Sequence, residues 1–211
     1  MDLLIQLPVL LFSIIIHEYA HGWVAEKYGD DTARVMGRLT FNPIPHIDLV
    51  GTILLPALAL LTGAPVFGWA KPVPVNPNRL KTPLKDMVWI SFAGPIANFI
   101  FALVASLGLW FIKTYHFFGN ELTITFFELF RLILVINIIL AIFNLIPIPP
   151  LDGSKVLLGL LPARLAYEYA KIEPFGFIII LVLLASGLFW MILGPIIGFL
   201  IRLLTGGTGI F

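Results

Sequence analysis

The chain has 211 residues, of which 59% are hydrophobic and 12% are charged, whereas soluble domains have roughly 45–50% apolar and about 25% charged residues. This composition excludes an ordinary soluble protein and indicates a lipid environment. The formal net charge of +1 argues against nucleic-acid binding, which needs a large basic field. Because the chain has no cysteine, a metal ion would have to be bound by His, Asp or Glu side chains.

Four apolar runs approach or exceed the roughly 20 residues that cross a bilayer. They lie at 3–28, 88–112, 126–146 and 175–193. Two shorter stretches, at 47–61 and 195–204, have the length of re-entrant or interfacial segments. The first run begins without the basic region and cleavage site of a signal peptide, so we expect it to be retained.

The lysines and arginines indicate how the chain is oriented. They are concentrated at 29–87 and 153–174, and cytoplasmic loops carry such an excess. The sequence therefore predicts that these loops face the cytoplasm and that the N-terminus lies outside. Residues 1–211 are expected to form one membrane domain, with a core at about 3–160 and further membrane segments at about 175–204.

Two loop segments between the first two long runs are rich in residues that favour strands. Residues 33–41 alternate in part, and residues 66–75 combine β-formers with prolines, which cannot donate to a central ladder. We predict short strands at both, the second at a sheet edge. The predicted fold class is an all-α polytopic membrane protein: a three-helix core, additional C-terminal membrane helices and short β-strands in these loops.

The first apolar run contains an H-E-x-x-H pattern, His17-Glu18-Tyr19-Ala20-His21. On a helix, positions i and i+4 share a face, so both imidazoles could bind one zinc ion while Glu18 flanks its water. Ionisable residues inside a membrane span usually mark a functional site. The alternatives are polar side chains that line a water-filled cavity, or a chance match.

A catalytic zinc site usually has three protein ligands, so one more is needed. Asp152 follows the third run after a series of prolines that would break the helix and let its carboxylate turn inward. Gly153 would allow a close backbone approach. The alternative is that Asp152 caps a helix that begins near Ser154.

Three motifs together carry a family resemblance: the histidine pattern at 17–21, Gly94-Pro95-Ile96-Ala97-Asn98, and the segment from Asn144 to Asp152-Gly153. In order and separation, the chain resembles the site-2 protease family of intramembrane zinc metalloproteases over residues 3 to about 160. The segment at 67–74 also resembles the compact members of this family, which have no PDZ or CBS domains.

The resemblance implies roles for individual residues. His17, His21 and Asp152 would bind Zn²⁺, and Glu18 would act as general base and then as proton donor. Asn144 would steady the substrate or its oxyanion, and Asn98 is a weaker candidate for that role. Hydrogen bonding between helices is the alternative for Asn98 and the main expectation for Asn137.

The sequence thus predicts an intramembrane metalloprotease that cleaves transmembrane proteins or peptides in or beside their spans. The expected setting is a bilayer, most simply a prokaryotic plasma membrane, with the site nearer the cytoplasm; a homo-oligomer is left open. An extended substrate could be held at 66–75 by strand addition. The competing hypothesis is a zinc-binding membrane protein without protease activity, such as a transporter or a chaperone-like binder. His46 is expected to form hydrogen bonds at the surface or near the mouth of the site.

Overall fold

The computed structural model describes residues 3–54, 57, 58, 61, 68–115 and 120–207. In chain order the α-helices are α1 (Leu3–Lys27), α2 (Thr32–Val35), α3 (Pro83–Tyr115), α4 (Asn120–Asn144), α5 (Asp152–Leu160), α6 (Ala163–Ala170), α7 (Gly176–Ala185) and α8 (Leu188–Leu204). Short 3₁₀ turns lie at Ile44–His46, Pro77–Arg79 and Glu173–Phe175, and a π-helical turn lies at Leu49–Leu54.

Three of these helices, α1, α3 and α4, are long and apolar enough to cross a membrane. They pack against one another, and α3 makes the most extensive contacts. Large apolar side chains such as Leu107 and Trp110 of α3 point outward, 59% and 60% exposed, as expected for surfaces in contact with lipid. The protein is therefore an integral membrane protein, and the predicted three-helix core is confirmed.

The apolar core lies where α3, α4 and α8 meet. Its fully buried members are Ala102, Ala105, Leu109, Leu134, Ile138, Phe189, Ile197 and Ile201. Small residues on α3 allow the close approach of backbones that membrane helices use in place of a hydrophobic driving force. Gly108 is one example, because a Cβ there would lie 2.8 Å from the Phe130 ring.

The first predicted strand, at 33–41, is wrong. Residues 32–35 form the single turn α2, which begins beside Asp30, whose Oδ1 accepts from the Thr32 amide at 3.1 Å. Gly37 then ends the turn with a φ of +66°. An aspartate before a helical turn and a glycine after it are start and stop signals, and they outweigh the partial alternation that favoured a strand.

The second predicted strand, at 66–75, is also not formed over the residues that the structure describes; residues 66 and 67 lie outside them. Residues 68–75 carry no strand pairing. The amides at 69, 71 and 73 instead donate to Gly51 O, His46 O and Glu18 Oε2, at 3.1, 2.9 and 2.7 Å. Because these three backbone amides already donate to a turn and to a side chain, they cannot donate to a neighbouring β-strand.

The C-terminal membrane segment is bent. The apolar run at 175–193 breaks at Ser186 and Gly187, and the helices on either side differ in direction by 76°. Gly187 has a φ of +75°, a left-handed conformation that glycine adopts without steric cost. The run is therefore one broken span or a re-entrant pair, not a straight fourth helix. The shorter predicted segment at 47–61 begins with the π-helical turn, and its residues 55, 56, 59 and 60 lie outside the described part.

Candidate metal centre

His17, His21 and Asp152 converge into one buried cluster. His17 Nε2 lies 2.9 Å and His21 Nε2 lies 3.1 Å from the same carboxylate oxygen, Asp152 Oδ2, and one ligand atom of each lies within 4.8 Å of the others. The three residues are each less than 10% exposed. The structure thus brings together the two histidines of the α1 motif and a carboxylate 131 positions further along the chain.

The second nitrogen of each imidazole faces an acceptor. His21 Nδ1 lies 2.6 Å from the carbonyl oxygen of Ile90, and His17 Nδ1 lies 2.6 Å from Asn98 Oδ1. Because a carbonyl oxygen only accepts, each Nδ1 carries a hydrogen, and each imidazole turns an Nε2 lone pair toward Asp152 when that nitrogen is unprotonated. Two imidazole nitrogens and one carboxylate oxygen that face one another at these distances are ligand types that zinc accepts, so the three residues fit a zinc ion.

Gly94 on α3 leaves room for such an ion. A Cβ built at this position would lie 2.5 Å from both His17 Nε2 and His21 Nε2. Any side chain at 94 would therefore fill the space between the two ligand nitrogens. Pro95 follows inside the same helix, so the motif Gly94-Pro95 lies directly against the site.

The turn between α4 and α5 positions Asp152 next to the two histidines. It is the first residue of α5, its carboxylate points to the histidines, and no side-chain cap is formed at this helix end, so the alternative of a helix cap does not apply. Gly153 permits this path, because a Cβ there would lie 2.2 Å from the carbonyl oxygen of Leu145. Burial acts to raise the pKa of Asp152, but the adjacent His21 and His17, when their Nε2 atoms are protonated, outweigh it and hold the pKa well below its usual range. The carboxylate is thus in its metal-binding form.

Glu18 lies beside the cluster without being part of it. Its carboxylate is half-buried and faces a cavity of about 770 Å³ that His17 also lines. One oxygen, Oε2, accepts the Val73 amide at 2.7 Å. Glu18 is thus held by a backbone donor, lies next to the three clustered residues and faces the cavity. A carboxylate in this position is suited to exchange protons with a molecule bound in the cavity.

Asn144 lines the same cavity from the end of α4. Its Nδ2 donates to Leu140 O, one turn back, at 3.0 Å, which leaves one amide hydrogen and the carbonyl oxygen. The remaining walls are mostly apolar, with Lys155 and Glu173 as charged exceptions. Residues 68, 69, 70 and 72 form one side.

Asn98 lies elsewhere. It is fully buried and does not line the cavity; its Oδ1 faces His17, and its Nδ2 donates to Ser13 O and to Asn137 Oδ1, at 3.1 and 2.8 Å. Both ends of its amide are hydrogen-bonded within the protein, so Asn98 contacts His17 of the candidate metal site and not the cavity. Asn137 bridges helices, as expected, and its link to the metal cluster was not anticipated.

His46 forms hydrogen bonds, as expected, but not at the surface, which was the first of the two places predicted for it. It is fully buried rather than at the surface. Its Nε2 bonds to Thr40 O, and its carbonyl oxygen accepts the Lys71 amide, both at 2.9 Å. His46 thus helps to hold the segment 71–73 in place beside Glu18.

The family model described as peptidase family M50 matches the chain over residues 6–123 and 111–187. The chain belongs to peptidase family M50. The resemblance to the site-2 proteases that the three motifs indicated is thereby confirmed, and the two matched stretches contain every residue of the metal cluster.

Similar proteins occur in bacteria and archaea. YwhC of Bacillus subtilis, named as a proposed zinc metalloprotease, is 40% identical over 89% of this chain and 83% of its own length. Rip2 of Mycolicibacterium smegmatis, with the same kind of name, is 29% identical over 83% of this chain and 64% of its own length. Zinc metalloprotease MJ0392 of Methanocaldococcus jannaschii is 27% identical over 75% of this chain and 35% of its own length. No solved structure matches the chain.

Proposed function

We propose that this M50 metalloprotease hydrolyses peptide bonds within or next to the transmembrane segments of other membrane proteins, with Zn²⁺ held by His17, His21 and Asp152. The observation that carries the proposal is the convergence of these three ligands inside the helical membrane core, next to a cavity that Glu18 also lines. When bound, zinc supplies a Lewis acid that polarises a carbonyl and activates water.

Glu18 is the proposed general base. It takes a proton from the attacking water and later delivers it to the departing amine. Its position supports this role, because it is adjacent to the ligands yet outside their cluster, and the Val73 amide fixes one of its oxygens. The other oxygen has no partner among the described residues and is left for the reaction.

The cavity supports a peptide substrate rather than a small polar one. At about 770 Å³ it has room for several residues, and apolar side chains dominate its walls. Ala70 lines one wall of the cavity. The backbone groups of its neighbours Trp69 and Lys71 form hydrogen bonds within the protein, whereas the amide and carbonyl of Ala70 have no hydrogen-bond partner among the described residues. These two groups could pair with an unwound substrate chain. Asn144 is proposed to steady the substrate or its oxyanion.

The setting proposed for this activity follows the sequence expectations. The substrates are transmembrane proteins or peptides, the medium is a bilayer, and the loops rich in lysine and arginine face the cytoplasm of a prokaryote. Lys155, which lies 3.7 Å from Asp152 Oδ1 and is about half exposed, belongs to these loops. The site would then open toward the cytoplasmic face. A homo-oligomer remains a proposal.

The test is cleavage of a transmembrane model peptide by the purified protein in detergent. Wild type should cleave, chelation should stop cleavage, and added zinc should restore it. Glu18→Gln should bind zinc normally and cleave at least about 100-fold more slowly, the lower range of a lost general base. The matched control is Glu26→Gln on the same helix, whose carboxylate pairs with Arg34 at the surface; it should cleave like wild type. Equal inactivity of folded, zinc-loaded wild type and Glu18→Gln across several substrates would favour a zinc-binding protein without protease activity.

A further inference from the structure

Three buried polar side chains from three helices form a connected network behind His17. Ser13 comes from α1, Asn98 from α3 and Asn137 from α4, and each is at most 1% exposed. Asn137 Nδ2 donates to Ser13 Oγ at 2.9 Å and to Ile133 O at 2.8 Å. Asn98 Nδ2 donates to Asn137 Oδ1 at 2.8 Å. The chain of contacts ends at His17 Nδ1.

The hydrogen bonds of this network have one consistent direction. Each asparagine donates one Nδ2 hydrogen to a backbone carbonyl, Ile133 O for Asn137 and Ser13 O for Asn98. Since carbonyl oxygens only accept, neither amide can be turned over without setting an oxygen against an oxygen. The Ser13 hydroxyl likewise donates to Val9 O at 2.8 Å, so its lone pairs are left to accept from Asn137.

The direction of the network decides the protonation of His17. With Asn98 Nδ2 held by Asn137 and Ser13, Asn98 Oδ1 faces His17 and must accept a hydrogen bond from Nδ1–H. If Asn98 were reversed, its Nδ2 would require an acceptor at His17 Nδ1, and the proton would move to Nε2. A protonated Nε2 cannot bind a metal.

We propose that Asn137 is a positioning residue for zinc binding, which acts through Asn98 to keep the His17 proton on Nδ1 and the Nε2 lone pair free for the metal. The inference rests on the proposed zinc site. It assigns a function to a polar residue in α4 that forms its hydrogen bonds with Ser13, Asn98 and Ile133 and does not line the cavity.

The first experiment measures zinc affinity of the purified full chain in detergent, by competition with a chromophoric chelator. Asn137→Leu keeps the approximate size and removes the amide. It should weaken zinc binding about 10-fold to 100-fold, the range found for outer-shell partners of metal ligands. The matched control is Ile138→Leu, the next residue on the same helix, which is equally buried and outside the network; its affinity should equal that of wild type.

The second experiment tests whether Asn137 acts on His17 through Asn98 or whether its loss only disturbs helix packing. In a chain that already carries Asn98→Leu, Asn137→Leu should cause no further loss beyond about twofold, because coupled residues are not additive. Ser13→Ala, a milder change that removes one acceptor of Asn137, should show a smaller loss in the wild-type chain and none with Asn98→Leu. It also serves if Asn137→Leu fails to fold.

Two outcomes would overturn the inference alone: a folded Asn137→Leu that binds zinc as tightly as wild type, or losses that simply add in the double variant. A wild type that binds no zinc would instead overturn the proposed function, and the inference with it. The two failures are distinguishable, because the latter appears without any substitution. Both experiments measure zinc affinity, so neither depends on protease activity.

Discussion

The backbone amide of Val73 donates a hydrogen bond to Glu18 Oε2 at 2.7 Å, across 55 positions of the chain. The residues just before Val73 are held by Arg38, whose Nη2 donates to Lys71 O at 2.7 Å and to Pro72 O at 3.2 Å. Arg38 is only 6% exposed. A buried guanidinium on one side of the segment thus sets where the Val73 amide meets the proposed base.

We therefore expect Arg38→Gln to slow cleavage while leaving zinc affinity unchanged. The segment 71–73 would shift, and a displacement of about 1 Å at a reacting group can cost about 10²-fold; we expect a 10-fold to 100-fold fall in kcat, with a smaller change in KM. The measurement is steady-state cleavage of the model peptide alongside chelator competition. Arg34→Gln is the control, since Arg34 is an exposed partner of Glu26. Zinc loss equal to the loss of activity would show that Arg38 supports the fold rather than Glu18.

Gly94→Ala should remove zinc binding while the protein still folds. The added Cβ would lie 2.5 Å from both ligand nitrogens, in the space that the metal needs. Metal content after purification and chelator competition provide the measurement. Gly198→Ala in α8 is the control, because its Cβ would meet only the end of a flexible arginine at 4.0 Å. If Gly94→Ala retained zinc at wild-type affinity, the metal could not lie between His17 and His21.

Asp152→Asn should weaken zinc binding by more than the roughly 100-fold upper range of outer-shell changes, because it removes a charged ligand rather than a supporting contact. The amide also presents a hydrogen-bond donor to lone pairs of His17 and His21. Chelator competition measures the change. Asp31→Asn, at an exposed carboxylate that pairs with Arg79, should have no effect. A loss no greater than that of Asn137→Leu would argue against Asp152 as a direct ligand.

Gly187→Ala should destabilise the bend between α7 and α8. A left-handed backbone costs a residue with a Cβ roughly 1–2 kcal/mol, and Gly187 has a φ of +75°. Thermal unfolding in detergent should show the loss. Gly194→Ala is the matched control inside α8: nothing lies within 4 Å of its Cβ, and alanine is favoured over glycine in a helix by roughly 0.5–1 kcal/mol. If both variants unfolded at the same temperature, the bend would not depend on the left-handed conformation.

Local patterns in the sequence were sufficient for the membrane core and for the candidate ligands. Hydropathy alone located α1, α3 and α4, since crossing a bilayer demands a long apolar helix whatever its neighbours are. The spacing of His17 and His21 is a property of one helix. Asp152 could be predicted because zinc chemistry needs a third ligand and the prolines before it predicted a break in the chain.

The failures and omissions concern partners that are distant in sequence. Whether residues 68–75 join a strand depends on what accepts their amides, and the acceptors turned out to be a turn at 46–51 and Glu18. The relation of Asn137 to His17 depends on the rotation and depth at which three helices pack, with contacts that span 39, 81 and 124 positions. Hydrophobic pattern and motif spacing do not specify these rotations. Side-chain packing between helices does, so only the tertiary structure shows which buried polar groups meet.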